Sequence, residues 1–143
     1  MQANVVRVKR SQAQYFRRLA LREARSTGRE IQAYLVGHVV SPTLTVVDEF
    51  CYPKNYAFQT ANEVRWYQDE YEKVKHAAEV GGKRIVGDAH SHPDWDSVLS
   101  PTDYKSHIEE GYRIAGICSV MNGRTRLRFW IAESALPLEV QYV

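Results

Sequence analysis

The sequence has 143 residues, of which 44% are hydrophobic and 25% are charged, with a net charge of +2. This length suits one domain with a single buried core, and the chain is too apolar to be disordered. Two cysteines are too few for a disulfide scaffold, and the longest apolar stretch, residues 114–121, is too short to span a bilayer. We therefore expect one domain over residues 1–143, with no signal peptide or membrane span, in the reducing cytoplasm.

The positive charge is concentrated near the start of the chain. Residues 1–29 hold eight basic residues against Glu23 alone, whereas the remainder has a net charge of −5. Such a segment could dock on an acidic partner or on a phosphate backbone. The alternative is a solvated helix face with some arginine stems lying over the core. The segment lacks the interleaved aromatic residues that stack on bases, so nucleic acid is not an expected partner.

Hydrophobic periodicity and turn residues predict seven strands and three helices. Their order, β-α-β-β-α-β-α-β-β-β, indicates an α/β or α+β fold in which helices pack on the faces of one mixed β-sheet. Asn122-Gly123 is a strong hairpin signal between two of the strands. The predicted elements are strand 6–9, a helix from a Ser11 cap to Gly28, strands 30–40 and 43–50, helix 59–80, strand 84–93, a helix from a Ser100 cap to Gly111, and strands 113–121, 124–132 and 138–143.

Residue types that bind metals are concentrated at the end of the predicted strand 84–93 and shortly after it. His90 and His92 are two residues apart, so both imidazoles project to one side of a strand. Asp103 opens the next predicted helix, and the intervening loop can return its carboxylate to that strand end. Two imidazoles and one carboxylate are the protein ligands of an open tetrahedral zinc site, whose fourth position holds water. Alternatively, the histidines are ordinary loop residues and Asp103 is only a helix cap.

These residues resemble the signature of the JAMM (MPN+) metalloproteases. The matching segments are His90-Ser91-His92-Pro93 and Ser100-Pro101-Thr102-Asp103, with the seven residues 93–99 between His92 and Ser100. The family also has a strand that reads Glu-x-x-Gly-x-Leu-x-Gly, and residues 30–37 match it except for Ala33 in place of the first glycine. The methyl group of Ala33 adds volume beside the strand and could narrow the groove. The resemblance covers residues 4 to 135.

The resemblance implies a cytidine-deaminase-like sandwich and zinc-dependent cleavage after the C-terminal tail of ubiquitin or a ubiquitin-like protein. His90, His92 and Asp103 would bind one Zn²⁺, which lowers the pKa of its bound water towards about 7. Glu30 would be the general base, and Ser100 would donate a hydrogen bond to the developing oxyanion. Two alternatives remain: a catalytically inactive MPN scaffold, and a peptidase that trims a sulfur-carrier protein. A regulatory protein partner is a further possibility.

Several other residues are candidates for a place in or near the site. His107 lies four residues after Asp103 and could reach the site on the same helix face, while Asp88 could orient His90. Residues 94–96 are a loop tip that could contact substrate. The residues that we expect to lie outside the site are His38, His76, Cys51 and Cys118.

Overall fold

The computed structural model describes residues 4–93 and 111–143. Alternating or continuous apolar residues produce strands in these ranges, and apolar residues at three- and four-residue spacing produce helices. None of the described helices is long and apolar enough to cross a membrane. The elements are β1 (Val5–Val8), α1 (Arg10–Ser26), β2 (Gln32–Ser41), β3 (Leu44–Cys51), β4 (Tyr56–Gln59), β5 (Val64–Trp66), α2 (Gln68–Val80), β6 (Arg84–His92), β7 (Ile114–Met121), β8 (Arg124–Ile131), β9 (Leu136–Pro137) and β10 (Glu139–Tyr142).

Eight of the strands form one mixed sheet in the order β10-β1-β3-β2-β6-β7-β8-β9, and β4 pairs with β5 in a separate sheet. The pairs β10–β1, β1–β3 and β6–β7 are parallel, and the other pairs of the large sheet are antiparallel. Only Leu138 separates β9 from β10, although these strands stand at opposite ends of that order. The amide of Leu138 donates a hydrogen bond to the carbonyl oxygen of Phe129 in β8, at 2.9 Å. The sheet therefore curls until its two ends meet.

The main hydrophobic core lies between α1 and one face of this sheet. Helix α1 buries Ala13, Phe16 and Ala20, which share one side of the helix. Strand β2 contributes Ala33 and Leu35 to the same core. Tyr34, between them, points to the opposite face, where its ring centroid lies 5.0 Å from that of Tyr71 in α2. The two helices therefore pack on opposite faces of the sheet, which confirms the predicted α+β architecture.

The start of the first helix differs from the prediction. Helix α1 begins at Arg10, so Ser11 is not its cap, and the capping position is Lys9 without a side-chain hydrogen bond. The amide of Arg10 instead donates to the carbonyl oxygen of Val143 at 2.8 Å. A contact with the far end of the chain thus satisfies one of the free amides at the start of the helix. This pairing leaves no local signal in the sequence.

The predicted helix 59–80 is wrong over residues 59–67, because the chain forms the β4–β5 hairpin there and α2 begins only at Gln68. Thr60 makes the turn, because its hydroxyl accepts hydrogen bonds from the amides of Asn62 and Glu63 at 3.3 and 3.1 Å. Val64 then pairs with Gln59 across the hairpin. The helical spacing of Val64 with later residues misled the prediction, although β-branched valine also suits a strand. Helix α2 itself ends before Gly81-Gly82, as predicted.

Glycine is required at several positions of the large sheet, of which two illustrate different reasons. Gly37 lies at a register shift between β2 and β3, and an added Cβ there would stand 1.9 Å from the carbonyl oxygen of Val46. Only glycine allows the two backbones to approach this closely. At the β7–β8 turn, Asn122 and Gly123 both have positive φ, of 53° and 74°. This confirms the predicted hairpin.

Candidate metal centre

Strand β6 places His90 and His92 on the same side of the sheet, as their two-residue spacing predicts. Their ring centroids are 5.2 Å apart, and both residues are buried. Strand β6 is central, because β2 pairs with it on one side and β7 on the other. The two imidazoles therefore project from a rigid part of the sheet.

Glu30 completes a cluster with the two histidines. It lies two residues before β2, the strand next to β6, and is itself buried. One potential ligand atom from each of Glu30, His90 and His92 lies within 4.8 Å of the other two. Glutamate and histidine in the two separate motifs of the sequence are thus brought together by the pairing of β2 with β6.

Hydrogen bonds to the β4–β5 hairpin hold the backbone of Glu30. Its amide donates to the carbonyl oxygen of Thr60 at 2.7 Å, and its carbonyl oxygen accepts a hydrogen bond from Nε2 of Gln59 at 2.8 Å. Strand β3 ends at Cys51, opposite Tyr34, so it does not pair with this part of the chain. The hairpin therefore supplies the hydrogen bonds that a neighbouring strand would otherwise make.

Ser91 connects the two segments that carry the cluster. Its Oγ accepts a hydrogen bond from the amide of Ile31 at 2.9 Å, and its own amide donates to the carbonyl oxygen of Ile31 at 3.0 Å. Ser91 stands between the two histidines, and Ile31 directly follows Glu30. These bonds fix the distance between the carboxylate and the imidazoles. The position of Ser91 in the motif does not by itself predict this role.

A second row of polar groups lies beside the cluster on the same face. The side-chain amide of Gln32 donates a hydrogen bond to the buried carboxylate of Asp88. The hydroxyl of Tyr56 accepts from the amide of Gln32 at 3.0 Å and donates to its carbonyl oxygen at 2.8 Å. Burial raises the pKa of Tyr56 to about 12, so this hydroxyl stays protonated at neutral pH. That Asp88 orients His90 remains a prediction.

The sequence contained a signal for only some of these supporting residues. Gln32 lies two residues after Glu30 on a strand, so a shared face could have been predicted. Gln59 and Tyr56 were not predictable, because their hydrogen bonds join segments separated by about 25 residues through a hairpin that the periodicity did not indicate. Ala33 is also corrected: its methyl group is buried in the core cluster beneath α1 and does not line the groove beside Glu30.

The donor set fits a divalent transition-metal ion, of which zinc is one. Imidazole nitrogens and carboxylate oxygens are common zinc ligands, and three groups at this separation can converge on one ion. Among the described residues, the carboxylate next to the histidines is Glu30, to which the sequence assigned proton transfer. The predicted ligand Asp103 and the predicted oxyanion donor Ser100 lie outside the described residues, as do His107 and residues 94–96. Their roles remain predictions.

The cysteines and the two other described histidines lie outside the cluster. His38 and His76 are exposed, and Cys118 is buried in the core, all as predicted. Burial raises the pKa of both Cys51 and Cys118 to about 12, so neither is an activated nucleophile.

Comparisons with known proteins agree with this fold. The model of a family described as prokaryotic homologs of the JAB domain matches residues 12–132. No curated protein matches the sequence. The chain is similar to a solved protein from Salinibacter ruber, with 18% identity, a TM-score of 0.65, and coverage of 96% of this chain and 91% of the other.

Two further solved structures share the fold. Protein DSY2949 from Desulfitobacterium hafniense is 14% identical with a TM-score of 0.63, and the similarity covers 96% of this chain and 92% of that one. AF2198, a JAB1/MPN domain protein from Archaeoglobus fulgidus, is 16% identical with a TM-score of 0.53, covering 99% and 97%. These identities are too low to indicate more than a common fold.

Proposed function

Because this chain belongs to the family of prokaryotic homologues of the JAB domain, we propose that it is a zinc-dependent peptidase or isopeptidase. The proposed reaction cleaves the bond that follows the C-terminal tail of ubiquitin or a ubiquitin-like protein. The observation that carries the proposal is the buried cluster of Glu30, His90 and His92 at the adjoining ends of β2 and β6. An inactive scaffold would not need to bring these three groups together.

In this proposal His90, His92 and Asp103 bind the ion, and Glu30 transfers protons. When bound, zinc would act as a Lewis acid and would lower the pKa of a water molecule bound to it. Glu30 would take a proton from the attacking water and deliver it to the leaving amine. Hydrogen bonds to its backbone amide and carbonyl oxygen hold the residue in place for this task. Ser100 donates a hydrogen bond to the oxyanion.

The substrate is proposed to bind as an extended chain. Among the described residues, β4 and β5 pair only with each other. Their free edges lie close to the cluster, since Thr60, directly after β4, is bonded to Glu30. A flexible C-terminal tail could add to such an edge as a further strand. Deconjugation and trimming of a sulfur-carrier protein would use the same groups.

Both cysteines are free, which supports a reducing compartment such as the cytoplasm.

A Glu30→Gln substitution tests the proposed chemistry. The amide keeps the size of the side chain but cannot accept a proton, so cleavage of a fluorogenic amide of the ubiquitin tail or of diubiquitin should fall by about 100-fold or more. Bound zinc, measured by mass spectrometry of the native protein, should be retained. Glu79→Gln on the exposed face of α2 is the matched control and should leave both quantities unchanged. Equal activity of the Glu30 variant and the parent would contradict the mechanism.

Zinc content separates the enzyme from a scaffold. His90→Ala and Asp103→Ala should each lower the bound zinc strongly, because each removes one of three proposed ligands. His76→Ala, on the exposed face of α2, serves as the control for loss of a histidine. Unchanged zinc stoichiometry in the first two variants would rule out the proposed ligands. Zinc binding by the parent without cleavage of either substrate would favour the scaffold.

A further inference from the structure

The outward face of α1 carries a row of arginines. Arg18, Arg22 and Arg25 are all exposed, and their spacing of four and three residues aligns them along one side of the helix. None of the three makes an ion pair with any described residue. The single acid of the helix, Glu23, is engaged with Arg29 at 3.3 Å. The row therefore presents three uncompensated positive charges to the surroundings.

The composition of this face differs from that of the other helix. The exposed charged residues of α2 are of both signs, and its basic residues are lysines. That mixture is typical of a solvated helix surface. In α1 the basic residues are all arginines, and an exposed tyrosine, Tyr15, lies 5.8 Å below the guanidinium of Arg18. Arginine and tyrosine are enriched at protein interfaces, whereas lysine and glutamate are depleted.

The surface around the row has the shape of a shallow groove. A depression of about 520 Å³ is lined by the three arginines together with Leu21 and Ser26. Arg22 also borders a second depression of about 390 Å³, between α1 and the segment after β3. Leu21 thus forms an apolar floor between the arginine side chains. Such a surface can bind an amphipathic helix, whose apolar residues contact the floor and whose charged residues contact the arginines.

We propose that this groove, formed by Arg18, Leu21, Arg22 and Arg25, binds an acidic protein partner. The element that it fits is a helix with carboxylates at positions i, i+4 and i+7 and a leucine at i+3, since these match the spacing of the arginines and the floor. Guanidinium groups bind carboxylates through two parallel hydrogen bonds. Nucleic acid fits less well, because Leu21 at the centre of the groove offers no ring for a base to stack on.

The groove and the metal centre lie on opposite sides of the sheet. Ile31, just before β2, and residues 33 and 35 of β2 lie in the core beneath α1, whereas Glu30 lies beside His90 and His92. A partner bound to α1 would therefore leave the metal centre open. The surface would bring the protein to its site of action without competing with its substrate, and its existence does not depend on the proposed cleavage activity.

The test uses two synthetic helical peptides of about 20 residues, long enough to be helical. One has glutamates at i, i+4 and i+7 with leucine at i+3, and the other has the same composition with the glutamates spread around the helix. Measured by fluorescence anisotropy with the full chain, the first should bind about tenfold more tightly or better. Equal affinity for the two peptides would overturn the proposal. So would equally tight binding of duplex DNA of the same charge, or self-association that buries the groove.

Substitutions locate the binding on α1. The variant Arg18→Glu, Arg22→Glu, Arg25→Glu should weaken binding of the patterned peptide by about 30-fold or more. The matched control, Lys73→Glu, Lys75→Glu, Arg84→Glu, changes the net charge equally at other exposed positions and should weaken it by less than about threefold. Equal loss in both variants would overturn the proposal.

A charge-conserving variant keeps the proposal testable if the triple glutamate variant fails to fold. Arg18→Lys, Arg22→Lys, Arg25→Lys keeps the charge and the helical preference of α1, but removes the paired donors. It should weaken binding by about three- to tenfold. If the lysine variant binds the patterned peptide as tightly as the parent does, general charge attraction explains the binding, and the proposed docking site is overturned.

Discussion

The hydroxyl of Ser91 should contribute both to stability and to the geometry of the metal centre. Its Oγ lies 2.9 Å from the amide nitrogen of Ile31, and the two residues are 1% and 6% exposed. A Ser91→Ala substitution leaves that amide buried without an acceptor, which costs about 1–3 kcal/mol of unfolding free energy. The backbone hydrogen bond from the amide of Ser91 to Ile31 remains, so the pairing of the strands should survive and the loss should not exceed this range.

The same substitution should weaken metal binding. Ser91 lies between the two histidines, and its partner Ile31 adjoins Glu30, so the hydrogen bond fixes the ligand-bearing segments relative to each other. Loss of a supporting hydrogen bond of this kind lowers metal affinity by about tenfold or more. Isothermal titration with Zn²⁺ measures the affinity, and urea unfolding followed by tryptophan fluorescence measures the stability.

Ser119→Ala is the control for this experiment. Ser119 is a buried serine on the adjacent strand β7, but within residues 4–93 and 111–143 its hydroxyl makes only a 3.5 Å contact, with the carbonyl oxygen of Arg126. Its loss should cost less than about 0.5 kcal/mol, because a contact of this length is weak. The reasoning is refuted if Ser91→Ala is as stable as the parent, or if the two alanine variants lose the same amount.

Two further substitutions test the sheet and the hairpin that supports the site. Gly37→Ala should cost about 3 kcal/mol or more, because the new Cβ would stand 1.9 Å from a carbonyl oxygen of β3. Gly81→Ala, whose Cβ would have 3.5 Å of space, should unfold at nearly the parent's urea concentration. Burial raises the pKa of Tyr56 from 10.0 to about 12, so its contribution to stability is complete below pH 10 and is lost as the pH rises through 12. Tyr56→Phe should be about 1–2 kcal/mol less stable at neutral pH, yet lose less than the parent when urea unfolding is repeated above pH 10.

Much of the sheet could be predicted because its signals are local. The alternation of valine with charged residues in β1, the Asn122-Gly123 turn and the glycine pair after α2 each act over a few residues. The structure agrees with the sequence at these places. The start of α1 at Arg10 was missed because its hydrogen-bond acceptor, Val143, lies at the other end of the chain.

In the candidate site, too, the features that depend on nearby residues could be predicted, whereas the hydrogen bonds between distant segments could not. The two histidines could be placed on one face from their spacing alone, and the structure brings Glu30 to them as the two motifs together suggested. The hydrogen bonds from Gln59 and Thr60 that fix Glu30 could not be predicted. They depend on a hairpin whose residues also have helical spacing, and periodicity cannot choose between two patterns that both fit.

Strand β2 and the two residues before it contribute to both the core and the site, because successive residues alternate between the two faces of the sheet. Glu30 and Gln32 face the metal centre, whereas Ile31 and Ala33 lie in the core beneath α1. The single departure from the family pattern, alanine at position 33, thus falls on the core side. Its methyl group changes packing against α1 and leaves the polar groups around Glu30 untouched. The departure is therefore compatible with an intact centre, since the chemistry depends on the other set of alternating residues.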